Sequence, residues 1–402
     1  MVKPRRVFGA VAMIPYGKQE ITQSDIDTVV EALKSPLITQ GPKAQEFEEK
    51  VASKVGAQFG VSFNSATSAL HCAALALGLG KGDYLWTTPN SFVASANCGI
   101  YCGAKVDFVD INPQTYNLDA EKLEKKLKST PKHRLPKVLV AVHFAGQSCD
   151  MESIRILSRI YQFKVIEDAS HALGGSYGEF PIGCCKFSDI TIFSFHPVKI
   201  ITSAEGGIAT TNSPKLAKKM QMLKSHGITK DSADLKRKTQ GAWYYEQQML
   251  GFNYRLSELH ATLGISQLSR LEDYVRTRNA LVKTYNENLR DLELITPFVA
   301  SYNYSAFHLY VIVLTKKSGI TRKELFAKLQ AARIGVQVHY IPIHLQPFYK
   351  KFGFKKGDFK VAESYYKNAI SLPLFPTLSE QEQQKVITLL RENVAKKVCN
   401  AV

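Results

Sequence analysis

Apolar positions along the first 260 residues follow two different periods. After Thr22, the residues Ile26, Val29, Val30 and Leu33 fall on one side of a 3.6-residue repeat. Phe47, Val51 and Val55 recur at a spacing of four. Two helices are therefore predicted, separated at Pro36 and joined by the turn Leu37-Ile38-Thr39-Gln40-Gly41-Pro42. Thr22, with Asp25 three residues on, gives the first helix a capping-box-like start. Short apolar runs then alternate with helical stretches. Residues 59–63, 84–88, 105–110, 138–144, 164–168, 190–195 and 208–211 read as strands. An alanine-rich helix ending near 79, a helix opening at 90–94, a charged helix from about 119 and a basic helix over 213–226 lie between them. Such alternation predicts an α/β fold with a mainly parallel, doubly wound sheet.

The pattern changes after residue 226. Residues 227–251 are polar and aperiodic apart from Trp243-Tyr244-Tyr245, and read as a loop. Residues 256–292 read as one long helical segment. A strand over 307–315, a helix from 321, a strand over 336–339 and a final amphipathic helix from about 379 suggest a smaller C-terminal α/β domain. The boundary is placed near 270, dividing the chain into 14–270 and 271–402. A chain of 402 residues is long enough to give both parts a core.

Residues 188–211 draw attention for their chemistry. An apolar strand carrying Ile190, Ile192, Phe193 and Phe195 ends in a polar turn with Lys199, and a second strand follows Glu205-Gly206-Gly207. A lysine set between two buried strands is desolvated, which disfavours its ammonium form and suits Schiff-base chemistry. A solvated loop lysine is the ordinary alternative. Asp168 ends the strand over 164–168, and open α/β sheets bind ligands outside the carboxyl ends of their strands. It reads equally well as a helix cap. A lysine for the aldehyde and an aspartate for the ring nitrogen are the two protein groups that a pyridoxal phosphate site requires. The turn Asn64-Ser65-Ala66-Thr67-Ser68, between a strand and a helix start, is one way to build an anion site, though many helices begin this way.

Four motifs, EDASHALG, FSFHPVK, SAEGG and GFNYRLSELHATLG, together resemble the DegT/DnrJ/EryC1/StrS sugar aminotransferases, which are pyridoxal-phosphate enzymes of fold type I. The resemblance runs from about residue 14 to about 390. The opening IPYGKQEITQSDIDTVVEALKSPLITQGP and the late VQVHYIPIHLQPFY resemble the branch that aminates a UDP-linked 4-keto-6-deoxy-N-acetylhexosamine in pseudaminic acid synthesis. The resemblance implies pyridoxal phosphate as cofactor, with Lys199 and Asp168 catalytic. It also implies Ala66, Thr67 and Ser194 on the phosphate, Phe92 stacked on the ring and Ser170 beside the cofactor. Asn253 is implied to reach the phosphate of a neighbouring subunit, so that a homodimer shares its active sites. Tyr16, Gln40, His339 and Tyr340 are the implied substrate contacts, with L-glutamate as amino donor. Each has a plain alternative. Phe92 reads as a core phenylalanine, Asn253 as a cap on the next helix, TQGP as a simple turn, and the histidines near the late strands as structural.

Rival functions are fewer. Aminotransferases making perosamine, aminoarabinose or another dideoxyamino sugar are the nearest. The dehydratase branch carries histidine where this chain has Lys199. A regulator or nucleic-acid binder is suggested only by the formal charge of +17. The lysines, however, are spread along the chain, and their densest clusters (122–132, 215–224 and 350–356) fall on helix surfaces or loops. No zinc finger, arginine-rich arm or RNA-recognition aromatic signature accompanies them, so no nucleic-acid partner is expected. No apolar run approaches the roughly 20 residues of a membrane span. The basic start, MVKPRRVFGAVAMIPYG, is interrupted by Gly9 and Pro15 and reads as unexported, which places the protein in the cytoplasm. Seven cysteines, odd in number and without CxxC spacing, read as reduced thiols, with no metal expected.

Overall fold

Seven of the apolar runs join in one twisted sheet. The computed structural model describes residues 13–237 and 240–397. In chain order the strands are β1 (Phe59–Phe63), β2 (Tyr84–Thr87), β3 (Lys105–Phe108), β4 (Val138–Val142), β5 (Lys164–Asp168), β6 (Ile190–Ser194) and β7 (Gly207–Thr211). Their spatial order is β1-β7-β6-β5-β4-β2-β3. All neighbouring pairs are parallel except those of β7, which runs antiparallel to both β1 and β6. Every residue of β4 is buried, as a strand covered on both faces must be.

Helices cover the two faces. In chain order they are α1 (Gln23–Lys34), α2 (Pro42–Val55), α3 (Ala66–Ala76), α4 (Ala94–Tyr101), α5 (Ala120–Ser129), α6 (Met151–Tyr161), α7 (Pro214–Lys224), α8 (Glu258–Leu268) and α9 (Leu271–Leu289). Leu70, Ala73, Cys98 and Met220 of α3, α4 and α7 pack with Val140 and Ile192. Leu123, Leu127, Ile154 and Leu157 of α5 and α6 pack with Leu139 and Val165 on the opposite face. A second, antiparallel sheet combines β8 (Leu294–Ile295), β9 (Tyr310–Leu314) and β10 (Ala369–Leu372), in that order. It shares a core with α9, α10 (Arg322–Ala331) and a C-terminal helix over Glu380–Asn393. Ile14 belongs to this C-terminal core, where it bridges Ile334.

Several expectations need correction. The helical segment over 256–292 is two helices, α8 and α9, broken at Ser269 and Arg270. At the break, the Arg270 guanidinium donates to both Asp25 oxygens, at 2.8 and 2.6 Å. Asp25 also accepts from Ser266 Oγ and Gln267 Nε2. The capping box at Thr22 forms as expected. The apolar stripe of α1 nevertheless stays uncovered within the chain, with Ile26 46% and Leu33 56% exposed, and α1 buries Asp25 instead. Residues 336–339 make only an isolated bridge, Gln337 to Ser371, because no neighbouring strand continues the pairing. Within 227–251, Ile228–Thr229 pairs with Glu246–Gln247. The Glu246 carboxylate accepts from the Lys236 and Arg237 amides there, and Trp243 stands 73% exposed.

Among the described residues, no helix is long and apolar enough to cross a membrane, and no group of three or more His, Cys, Asp or Glu side chains is placed to hold a metal. The six described cysteines are free thiols, and burial pushes Cys72, Cys102 and Cys185 up to about 12. Cys399 and the basic start over 1–12 lie outside the described residues.

Candidate active site

The carboxyl ends of β4, β5 and β6 meet the start of α3 around a cavity of about 410 Å³. Lys199 reaches it from the turn after β6. This turn is tight: the Lys199 amide donates to His196 O at 2.9 Å, and the Ser203 amide and Thr202 hydroxyl both donate to Phe195 O. Lys199 is partly buried at the cavity wall. Burial lowers its pKa to about 8, against an opposing pull from the Asp168 carboxylate.

Asp168 ends β5 and is almost wholly buried. Its Oδ1 accepts from the Ser170 hydroxyl at 2.6 Å, and its Oδ2 accepts from the Ser95 hydroxyl at 2.6 Å. Ser95 in turn lies 2.7 Å from Ser91 Oγ. Strand alternation sends the preceding residue, Glu167, to the other face, where it lies 2.6 Å from His143 Nε2 and accepts from Ser188 Oγ at 2.5 Å. That buried polar cluster secures β4, β5 and β6 from behind.

The N-terminus of α3 forms the floor. Ser65 caps the helix by accepting from the Ser68 amide at 3.1 Å, which leaves the Ala66 and Thr67 amides open at the cavity edge. Gly207 permits the close approach of β7, since a Cβ there would lie 2.4 Å from Ala66 N. The Ser194 hydroxyl lines the cavity from the end of β6. Phe92 stands at the rim, 58% exposed, so it is not the core phenylalanine that was its plain alternative.

The chain's first described residues and its C-terminal part close the cavity. Tyr16, His339 and Tyr340 all line it, and Tyr16 and His339 have ring centroids 5.5 Å apart. The His339 imidazole lies 2.8 Å from Ser371 Oγ through Nδ1, and burial with the nearby Lys199 charge drives its pKa down to about 3. Burial also holds the Tyr340 phenol well above its ordinary range.

Ser170 completes the set of expected residues brought together here. Gln40 and Asn253 do not join them in the single chain. Gln40 lines a separate cavity of about 700 Å³ beside Lys224 and Arg255. Asn253 is exposed and bridges Ser225. Sequence reasoning missed Ser95, His171 and His308 as site residues. The His308 and His171 rings lie tilted against each other with centroids 4.4 Å apart, and burial together with the Lys199 charge holds both rings well below the ordinary histidine range. The signal for His171 was in hand, three residues after Asp168 in EDASHALG.

Comparisons with known proteins agree with this architecture. The DegT/DnrJ/EryC1/StrS aminotransferase family matches residues 19–391. The spore coat polysaccharide biosynthesis protein SpsC of Bacillus subtilis (strain 168) is 40% identical, over 98% of this chain and 99% of its own. The UDP-4-amino-4,6-dideoxy-N-acetyl-beta-L-altrosamine transaminase of Campylobacter jejuni subsp. jejuni serotype O:2 is 38% identical, over 96% of this chain and 100% of its own. Among solved structures, Helicobacter pylori PseC, an aminotransferase involved in the biosynthesis of pseudoaminic acid, superposes with a TM-score of 0.86 at 31% identity, covering 95% of this chain and 99% of that one. The putative sugar aminotransferase Spr1654 of Streptococcus pneumoniae in its PMP form gives a TM-score of 0.87 at 29% identity, covering 94% and 98%. The fold is that of the fold type I aminotransferases. The chain belongs to the DegT/DnrJ/EryC1/StrS aminotransferase family.

Proposed function

We propose that this enzyme is a pyridoxal-phosphate-dependent transaminase that moves an amino group from L-glutamate to C4 of a UDP-linked 4-keto-6-deoxy-N-acetylhexosamine, as in pseudaminic acid synthesis. The observation that carries the reading is the meeting of Lys199, its pKa lowered by burial, and Asp168 in one cavity. The residues present suit the cofactor. Lys199 would hold its aldehyde group and Asp168 its ring nitrogen. The Ala66 and Thr67 amides, with the Ser194 hydroxyl, would hold its phosphate at a helix N-terminus. Phe92, exposed at the rim, offers a flat face for its ring.

When bound, pyridoxal phosphate supplies an electron sink for the negative charge left when a proton leaves the amino-bearing carbon. The chain's own contribution is then proton handling and orientation. Lys199 Nζ takes that proton as general base and returns it as general acid, and a pKa of about 8 suits both duties near neutral pH. Asp168, held by Ser95 and Ser170, keeps its charge opposite the ring nitrogen. His339 and Tyr340, on the C-terminal side of the cavity, and Tyr16 would orient the substrate. A homodimer in which Asn253 of one subunit completes the phosphate site of the other is part of the proposal.

The sugar is the narrower claim. It is supported by the 38% identity to the altrosamine transaminase and the likeness to PseC. A second reading, an aminotransferase for another polysaccharide sugar, draws on the similar identity to a spore coat protein. Absorbance spectra of the purified protein with pyridoxal phosphate, before and after L-glutamate, test the reaction class. A yellow form that bleaches with glutamate, and regains its colour with the UDP-linked 4-keto sugar, is expected. Recovery with a different keto sugar alone would favour the second reading. A protein that takes up no cofactor would overturn both.

A further inference from the structure

One charged residue lies on the buried side of α9. Tyr274, Val275, Val282 and Tyr285 mark that side, and Arg278 falls among them, 1% exposed. Burial lowers its pKa to about 10, so the guanidinium is still charged at neutral pH. Among the described residues no carboxylate pairs with it. A buried charge without a counter-ion is destabilising, and a methionine would occupy similar space without that penalty. Three backbone carbonyls stand in for the counter-ion. Arg278 Nη1 donates to Leu374 O at 2.9 Å, and to Phe307 O and His308 O at 3.3 Å each.

These carbonyls belong to two separate walls of the cavity, which Tyr16 and His308 both line. His308 precedes β9 and supplies one of the carbonyls itself. Phe307 beside it holds a left-handed backbone, φ 45°, which a bulky side chain disfavours and which persists only where its surroundings hold it. Leu374 follows β10, and its amide donates to Tyr16 O at 3.0 Å. Neighbours of Arg278 on α9 reinforce each wall separately. Asn279 Nδ2 donates to Ser305 O at 3.0 Å, and Tyr285 Oη donates to Pro373 O at 3.0 Å. Arg278 donates to both walls from a single nitrogen.

We propose that Arg278 is a positioning residue that fixes the separation of the Tyr16 wall from the His308 wall, and with it the fit of the substrate between them. Arg278 stands behind the cavity and does not line it. Lys199, Asp168 and the phosphate turn come from β5, the turn after β6 and the start of α3, outside this link. The consequence for substrate fit rests on the transaminase reading, while the link between the walls does not.

Hydrogen exchange of the apoprotein, read by mass spectrometry of its peptides, tests the link without turnover. Tyr285→Phe should speed exchange around residues 14–17 and 372–375 alone, and Asn279→Ala around 303–309 alone. Arg278→Met should speed both regions about tenfold, the scale of one hydrogen bond from a charged group, and Arg278→Lys, which keeps a charged donor, should recover part of that change. Should Arg278→Met fail to fold, Arg278→Lys supplies the same comparison. Loosening of one wall only, or an even loosening of the whole chain, in whichever arginine variant folds would overturn the proposal. In the holoenzyme, KM for L-glutamate and for the keto sugar should each rise about tenfold, because both occupy the one cavity, with kcat and cofactor affinity kept within about threefold. An unchanged KM despite looser walls would remove Arg278 from substrate fit, and a loss confined to kcat or to cofactor affinity would do the same. A protein that takes up no cofactor would instead defeat the transaminase reading and leave the exchange result standing.

Discussion

Ser95 Oγ donates to Asp168 Oδ2 at 2.6 Å, across 73 residues of sequence. Ser95 lies in the first turn of α4 and is fully buried, so this serine ties the helix after β2 to the acid at the end of β5. With Ser170 on the other oxygen, the carboxylate has little freedom to rotate. Removing the Ser95 donor should loosen Asp168 without removing its charge. Ser95→Ala is expected to slow the glutamate half-reaction about tenfold, the scale of one hydrogen bond to a charged group. Asp168→Asn should cost well over about 100-fold, because it removes the charge proposed to face the cofactor's ring nitrogen. Stopped-flow spectra of both holoenzymes would measure this. A Ser95→Ala rate equal to that of the unmodified enzyme would show that Ser170 alone suffices.

The buried amine of Lys199 should give stability a pH signature. Burial lowers its pKa from 10.5 to about 8, with Asp168 pulling partway back. The folded value lies below the unfolded one, so folding disfavours the bound proton. The penalty is complete below pH 8, declines as pH rises past 8, and vanishes above about pH 10.5. Converted, it is on the order of 3 kcal/mol. The Lys199→Met apoprotein should therefore be more stable than the unmodified apoprotein at pH 7, although it cannot turn over. The advantage should shrink to about half by pH 9.5. Urea unfolding of both apoproteins at the two pH values measures the difference. A gap that stays constant or widens with pH would contradict the assignment.

A single glycine should control the phosphate end of the cavity. Gly207 pairs with Phe63 in β1 and with Ser194 in β6, and an added Cβ would lie 2.4 Å from Ala66 N and 2.6 Å from Ala66 Cα. These are backbone atoms, so Gly207→Ala must displace the start of α3. We expect affinity for pyridoxal phosphate to fall at least about tenfold, with a stability loss of about 1–3 kcal/mol. Gly80→Ala, where a Cβ meets nothing within 4 Å, is the control. Fluorescence titration of the two apoproteins with the cofactor would compare them. Equal affinities would mean that α3 does not bind the phosphate.

The sequence was most legible where a residue's role depends on its own strand or turn. Strands β4 and β5 were readable because burial on both faces leaves continuous apolar runs. Lys199 and Asp168 were readable because each follows such a run. Helix α6 went unassigned although Asp150 caps it and Met151, Ile154 and Leu157 mark its buried side, so there the signal was present and unused. Other features arise only from distant contacts. The period of α1 was correct, but periodicity does not reveal what covers a face, and the contact that anchors α1 joins Asp25 to Arg270. Residues 336–339 alternate like a strand, yet pairing depends on a neighbour, and Gln337 alone finds one. Ser95 and His171 acquire their roles from partners 73 and 169 residues away, which no local pattern encodes.

Gln40 and Asn253 lie away from the cavity of their own chain. Under the proposed homodimer, Asn253 serves the partner's site, and this makes a sharp prediction for mixed subunits. Lys199→Ala removes the proposed general base of its own cavity. Asn253→Ala weakens the phosphate site of the other subunit, so at limiting cofactor each homodimer should be nearly inactive. In a mixed dimer with one subunit of each kind, one cavity would carry both defects and the other neither. Unfolding and refolding an equal mixture should therefore restore a substantial fraction of activity, carried by the mixed dimers alone. Were Asn253 to act on its own chain, every cavity of the mixed dimer would keep one defect and nothing would be recovered. Sedimentation velocity of the refolded sample, run alongside the assay, separates failure to pair from failure to complement. Paired but inactive mixed subunits would remove Asn253 from the partner's site.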